Sequence, residues 1–352
     1  MPPGSREHRP RKHVPPLPVR DGLNPTRLVL PHDAAAVARY ATAAQYLLER
    51  FGHDVADAAR LREKLAAGEV VTGAGAVVDH ATPYEPRGFL YLYRDPPADE
   101  PEVPALGEIE VLHRDDDLLV VDKPHLVATM PRGRWVTRTV LVHLRATLDL
   151  PELVPAHRLD RPTAGVLVLT VRPEVRGAYQ TAFQDRAVRK VYEAVAPLPA
   201  PGSVLESELD REGTTTVRSR IVKHRGAVRA QEEPGEPNAE SRVTLVARDD
   251  ARGLGLYRLE PRTGKTHQLR LHMASLGLPL LHDPFWPVLR EDAPDDPDRP
   301  LQLLARSLAF VDPLSGEPRE FRSRRRLAAR PGDGMGDGRG DGTGDGRGDG
   351  PR

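Results

Sequence analysis

From residue 109 onward the chain is a succession of short β-rich runs, at 109–112, 118–122, 165–171, 190–196, 217–222, 241–247, 254–260, 267–273 and 302–311, with helical stretches only near 137–148 and 173–186. Parallel strands need a long crossover between them, usually a helix, and strands and helices here do not alternate regularly. The order argues against a Rossmann-like sheet. It predicts an α+β fold with a mixed, mainly antiparallel central sheet and flanking helices. Upstream, the apolar spacing predicts helices over 33–50 and 55–67, the second stopped by Gly68. A hairpin over 70–78, turning at Gly73 and Gly75, and a strand at 89–94 complete a small N-terminal α/β unit over 21–95. The Pro/Glu-rich stretch 96–104 reads as a linker to a second domain over 105–325.

The chemistry-bearing residues cluster in three places within that second domain. Residues 157–170 read HRLDRPTAGVLVLT, which sets the carboxylate of Asp160 between two guanidiniums, Arg158 and Arg161, at the start of a run that reads as a buried strand. A surface Asp in a salt-bridged loop is the plainer reading of that segment alone. Residues 262–273 read RTGKTHQLRLHM: Lys265, His267 and Gln268 supply donors, Arg270 adds a forked cation, and Leu269, Leu271 and Met273 alternate as if facing a core. Between them, KVYEA at 190–194 places Lys190 and Tyr192 on a strand.

These three segments, in this order and spacing, resemble the three motifs of the RluA-type pseudouridine synthases. The similarity runs from about Ile109 to Glu320 and includes VLHRDDDLLVVDKP at 111–124. It implies the pseudouridine synthase fold and an enzyme that isomerises specific uridines in large-subunit ribosomal RNA or transfer RNA. It also implies Asp160, Tyr192 and Arg270 as the catalytic set, with Arg270 pairing Asp160. Breaking an N-glycosidic bond and rejoining the base through C5 requires a nucleophile or base and a way to hold the freed uracil, and Asp160 and Tyr192 fit these roles. Covalent capture and glycal formation are both open to the carboxylate. Arg158, Arg161, Lys190, Arg262, Lys265, His267 and Gln268 are the expected contacts to substrate RNA. Two departures from the family pattern stand out: Pro162-Thr163-Ala164-Gly165 after the catalytic Asp, and Gly264-Lys265-Thr266 where the family carries Gly-Arg-Thr. The N-terminal unit is faintly similar to the S4-like RNA-binding module that often precedes this catalytic domain.

Other classes are weighed on the same residues. The chain has no cysteine, which excludes thiol nucleophiles, thiolate metal sites and a disulfide framework, and fits a reducing compartment. His267 and His272 lack a carboxylate partner at ligand spacing, so neither a metal nor a cofactor is expected. A retaining glycosidase would need a second acid about 5 Å from Asp160, and Asp283 is the only acid in the later motif block. A non-catalytic RNA-binding protein would have no use for the Asp, Tyr and Arg together.

Formal net charge is zero, from 51 basic and 51 acidic side chains, so local clusters must carry any affinity for a polyanion. Two occur, a basic arm over 1–20 and six arginines in 319–330. The Gly/Asp-rich end, taken with its approach as a tail over 326–352, cannot bury a core and is expected to be disordered. No apolar run long enough for a membrane span occurs. A cytoplasmic monomer with RNA as its partner is the expectation.

Overall fold

The computed structural model describes residues 15–331, apart from 53–54, 98 and 291–293. The basic arm up to residue 14 and the Gly/Asp tail from 332 lie outside the described residues. The rest falls into two compact units divided between Asp185 and Arg186, with Asp312–Glu317 returning to the first.

In the first unit, β1 (Thr26–Val29), α1 (Ala34–Arg39), α2 (Ala43–Phe51), α3 (Val55–Ala66), β2 (Val71–Thr72) and β3 (Phe89–Leu92) form a helical layer with an antiparallel sheet in the order β1-β3-β2. The single helix predicted over 33–50 is two. Thr42 breaks it by capping α2 in a reciprocal box with Gln45, and Tyr40 leaves the helix to join the rings of Tyr46 and Tyr84. The predicted hairpin turns at Gly75, whose positive φ of 84° suits glycine and whose N–H donates to Thr72 O at 2.9 Å.

The same unit continues with β4 (Glu110–Arg114), β5 (Leu118–Lys123), α4 (Val140–Leu148), β6 (Val154–Pro155), β7 (Ala164–Thr170) and α5 (Arg176–Gln184). Strands β4, β5 and β7 pair antiparallel in that order, with β6 also on β7. Every residue of β5 and β7 is buried, as expected for continuous apolar runs covered on both faces. The stretch read as a linker is docked. Glu100, 9% exposed, accepts from the N–H groups of Val136, Thr137 and Arg138 at 2.6, 2.9 and 2.9 Å and from the Thr137 hydroxyl at 2.7 Å. Burial alone would raise its pKa, but these four donors hold it below the ordinary carboxylate value.

The second unit holds β8 (Arg189–Pro197), α6 (Val204–Glu212), β9 (Thr214–Ser219), β10 (Ile221–Val222), β11 (Gln231–Glu232), β12 (Ala239–Asp249), β13 (Leu254–Pro261), α7 (Gln268–Ser275), β14 (Leu303–Val311) and β15 (Pro318–Arg322). Its strands run β14-β8-β13-β12-β9, with β15 on β14, and each of these pairings is antiparallel. The α+β class with a mainly antiparallel sheet is therefore what the residues form. One element differs in kind: 267–273, predicted as a strand, is the start of α7. Residues 268–273 are buried all round, so no polar face exposes the helical period, and the alternation of Leu269, Leu271 and Met273 imitates a strand. The C-terminal tail also starts later than predicted, because Leu327 is 2% exposed and the Ala329 N–H donates to Gln302 Oε1 at 2.9 Å.

Candidate active-site elements

The loop 156–163, between β6 and β7, carries Asp160 and is held by its backbone. Lys123, fully buried at the end of β5, donates its ammonium to the carbonyls of Pro124, Val127 and Arg161 at 2.9, 2.7 and 3.0 Å. That satisfies all three of its donors. His125 Nδ1 lies 2.7 Å from Pro162 O, and the Thr129 hydroxyl donates to Leu159 O at 2.9 Å while accepting from the Leu159 N–H at 3.3 Å. Within the loop the Thr163 N–H donates to Asp160 O at 3.0 Å. His157 Nε2 accepts from the Val168 N–H at 3.1 Å, and its ring stacks on Phe183 at 4.7 Å. The backbone is thus fixed on both sides of Asp160, whose side chain sits half-buried at the head of β7. Lys123, His125 and Thr129 were not singled out from sequence. The Lys-Pro dipeptide following a strand was their one signal.

The two arginines flanking Asp160 have different surroundings. Arg158 is exposed. Arg161 is half-buried, with its guanidinium 4.3 Å above the Trp135 ring and Nη1 donating to Leu126 O at 3.3 Å, so stacking and packing take up the group expected to meet phosphate.

In the second unit, Tyr192 lies on β8 opposite Leu259 of β13 and Ala305 of β14 and packs on the cluster that includes Ala194, Leu259, Leu269 and Met273. Two residues before it, Lys190 is within reach of the Arg262–Thr266 turn: a Cβ on Gly264 would stand 3.9 Å from its ammonium. Burial lowers the Lys190 pKa. Arg262 and Lys265 are exposed, with Arg262 Nη1 3.4 Å from Glu240 Oε1. Gln268, expected among the RNA contacts, faces inward at 4% exposure. Its amide donates to Glu240 O and Ser241 Oγ at 2.9 and 2.8 Å and accepts from the Thr263 hydroxyl and the Lys265 N–H at 2.7 and 3.0 Å. The amide is saturated, so Gln268 braces the turn rather than reading a base.

His267 opens α7 in a left-handed conformation, φ 58°, and packs edge-on against Phe285 and Trp286. Its Nδ1 accepts from the Ala230 N–H at 3.3 Å. Arg270 is 1% exposed. Its Nε and Nη2 donate to the two oxygens of Asp283 at 2.8 and 2.6 Å, and its guanidinium lies 4.4 Å over the Phe285 ring. Asp283 Oδ1 also accepts from the Phe285 N–H at 2.8 Å, which makes this carboxylate an anchor for Arg270 instead of a proton donor for hydrolysis. His272 is fully buried with Nε2 3.1 Å from Ser219 Oγ, and burial lowers its pKa to about 4. Among the described residues no group of three or more His, Cys, Asp or Glu side chains is placed to hold a metal ion, and no helix is long and apolar enough to cross a membrane.

Residues 117–275, a span containing all three motif segments, match the family model described as RNA pseudouridylate synthase. The chain is 33% identical over 223 residues to an uncharacterized RNA pseudouridine synthase of Synechocystis sp., an alignment covering 63% of this chain and 72% of the relative. It is 31% identical over 218 residues to the dual-specificity RNA pseudouridine synthase RluA of Escherichia coli, covering 60% of this chain and 91% of that one. It is 28% identical over 232 residues to the ribosomal large subunit pseudouridine synthase D of Neisseria meningitidis, covering 62% and 59%. The chain therefore belongs to the RluA-type family of RNA pseudouridine synthases, isomerases that act on RNA.

Proposed function

We propose that the chain converts specific uridines to pseudouridine in large-subunit ribosomal RNA or transfer RNA, with Asp160, Tyr192 and Arg270 as its catalytic set. The observation that carries this reading is the clamped loop: four hydrogen bonds with Lys123, His125 and Thr129 fix the backbone at 159, 161 and 162, and the carboxylate stays half-exposed on a rigid base. A nucleophile or base has to be held within a few tenths of an ångström of its target, which such a support provides. The carboxylate either captures C1′ as uracil departs or takes a C2′ proton to give a glycal. The base turns, and its C5 then either displaces the carboxylate from C1′ or adds to C1′ of the glycal while Asp160 returns the proton to C2′; in both routes C5 loses a proton and N1 gains one, so no oxidant or co-reactant is needed.

Tyr192 is assigned to the face of the freed uracil and to proton movement. Arg270 is assigned to Asp160 as its cationic partner, with Asp283 fixing the fork through Nε and Nη2. Arg158, Lys190, Arg262, Lys265 and His267 contact the RNA. Arg161 and Gln268 serve as supports for these segments. The protein acts as a cytoplasmic monomer without metal, and residues 21–95 form an accessory RNA-binding domain.

The test uses purified protein on ribosomal and transfer RNA transcripts, with pseudouridine mapped at nucleotide resolution. Wild type forms product in at least one of them, in excess EDTA as without it. Asp160→Asn forms none while binding RNA within a few fold, because phosphate contacts dominate affinity. Turnover by Asp160→Asn removes Asp160 from the mechanism, and absence of product from the wild type on both RNAs removes the substrate assignment.

A further inference from the structure

The arginine-rich stretch after β14 continues past β15 as an ordered ribbon. Burial alternates along it: Arg322, Arg324 and Arg326 are exposed, while Ser323 and Leu327 are 6% and 2% exposed. The backbone is pinned from beneath. The Ser323 N–H donates to Arg306 O at 2.9 Å, and Arg306 Nη1 donates to the carbonyls of Ser323 and Arg325 at 2.9 and 2.8 Å. Arg306 is oriented in turn by Glu193, which accepts from Nη2 at 2.7 Å and lies 4.0 Å from Arg330 Nη1. One buried-side arginine and one glutamate thus hold a row of outward arginines on a fixed track.

We propose that Arg322, Arg324 and Arg326 form a phosphate track for the RNA strand flanking the target uridine. The inference rests on the reading of RNA as substrate. Exposure at every second residue spaces the three guanidinium forks along the ribbon, which lets them address phosphates in series. A flexible basic tail would lose conformational freedom on binding, whereas this backbone is already ordered. The acid in the row, Glu320, pairs with Arg322 at 2.9 Å, but the two side chains are 47% and 70% exposed, so phosphate can displace it. Register sets the location: Ser307 of β14 lies between Val191 of β8 and Arg322 of β15, two strand spacings apart, or about 10 Å. Cross-strand partners share a face, so Arg322 stands on the face of Val191 and not on that of Tyr192. The track therefore holds flanking RNA, not the reacting nucleotide.

The experiment compares wild type, the triple variant R322Q/R324Q/R326Q and the charge-keeping R322K/R324K/R326K for binding to a long transcript and to a short stem-loop across salt. Losing three contacts to single-stranded RNA flattens the plot of log K against log salt by about 2 and weakens long-RNA binding ten- to a hundred-fold near 0.1 M salt. The Lys variant keeps most of the slope. Turnover at saturating stem-loop stays at the wild-type value in both, and melting temperatures report folding. An unchanged slope in the Gln variant overturns the track, as does a Lys variant that behaves like the Gln one or binding of anionic lipid vesicles, but not RNA, that depends on these arginines. Wild type that binds with the steep slope but forms no pseudouridine sinks the functional reading and leaves the track standing.

Discussion

The Arg270–Asp283 pair allows stability and chemistry to be separated. Its side chains are 1% and 0% exposed, and its two N–H···O bonds are 2.8 and 2.6 Å long. Removing one member of such a pair leaves an uncompensated charge out of water and costs about 3–5 kcal/mol. Asp283→Asn keeps the shape and one acceptor, and the Phe285 ring 4.4 Å from the guanidinium still offers cation–π attraction worth up to about 2 kcal/mol, so the low end of that range applies. A loss of about 3 kcal/mol lowers the melting temperature by roughly 6–12 °C if the unit melts as a domain of 150–250 residues.

The informative control removes both charges. Arg270→Met with Asp283→Leu replaces both charges by apolar groups, a change that is often neutral or stabilising. Stability should return to within about 1 kcal/mol of wild type, while pseudouridine formation stays absent because the cation assigned to Asp160 is gone. Urea denaturation and single-turnover assays on all three proteins measure the two quantities. Asp283→Asn unfolding within 1 kcal/mol of wild type would refute the argument that this pair carries the cost of burying Arg270.

Three further outcomes follow from the geometry. His272 has a folded pKa near 4 against an unfolded value near 6.5, so the unfolded state binds the extra proton between these values. Stability contributed above pH 6.5 should fall by about 3 kcal/mol as pH drops towards 4; His272→Gln should flatten that part of a pH-resolved denaturation profile, and an unchanged slope would contradict it. Lys123→Met removes three charge-assisted bonds of about 1.5–3 kcal/mol each but also relieves a buried ammonium, for a net loss of about 2–4 kcal/mol and at least tenfold slower single-turnover chemistry; wild-type rate in this variant would show that the loop does not need its clamp. Tyr192→Phe keeps the stacking face, so RNA affinity should hold while turnover falls by roughly 10²–10⁴-fold, and near-wild-type chemistry would reduce Tyr192 to a platform.

What the sequence revealed depended on whether a residue's partner was local. The strands at 118–123 and 164–170 were legible because largely continuous apolar or β-branched runs bury a strand on their own account. Helix α7 was not, since burial on every side erases the period that distinguishes helix from strand. The α6 segment, Val204–Glu212, was missed because no broad apolar stripe marks it; its Ser203 cap and the Gly213 terminus were the readable signals. In the motif segments, residue types pointed to chemistry, but supports recruited over long range stayed hidden. Nothing near Lys123 announces that it will hold Arg161, 38 residues on, and nothing near Glu100 that it will cap 136–138.

The two kinds of polar residue in these segments answer different physical demands. Groups that set geometry are buried and hydrogen-bonded inward: Lys123 spends three donors on three carbonyls, Gln268 spends its whole amide on the 263–265 turn, Glu240 and Ser241, and Arg270 is forked onto Asp283. Their hydrogen bonds are directional, and replacing any of them leaves an unsatisfied partner in low dielectric. Arg158, Arg262 and Lys265 are exposed on those supports, and under the proposed assignment to RNA their long side chains follow a phosphate whose position varies between RNAs. Coulomb attraction depends on distance more than on angle, so under that assignment the exchange of Lys for Arg at 265, the departure this chain shows from its family's pattern, is expected to change affinity without disturbing the loop beneath it. The same exchange at 123 would force a planar fork into a site shaped by three converging carbonyls. Under the proposed function, specificity for a particular RNA is then free to drift at the surface while the geometry set by the buried groups stays fixed below it.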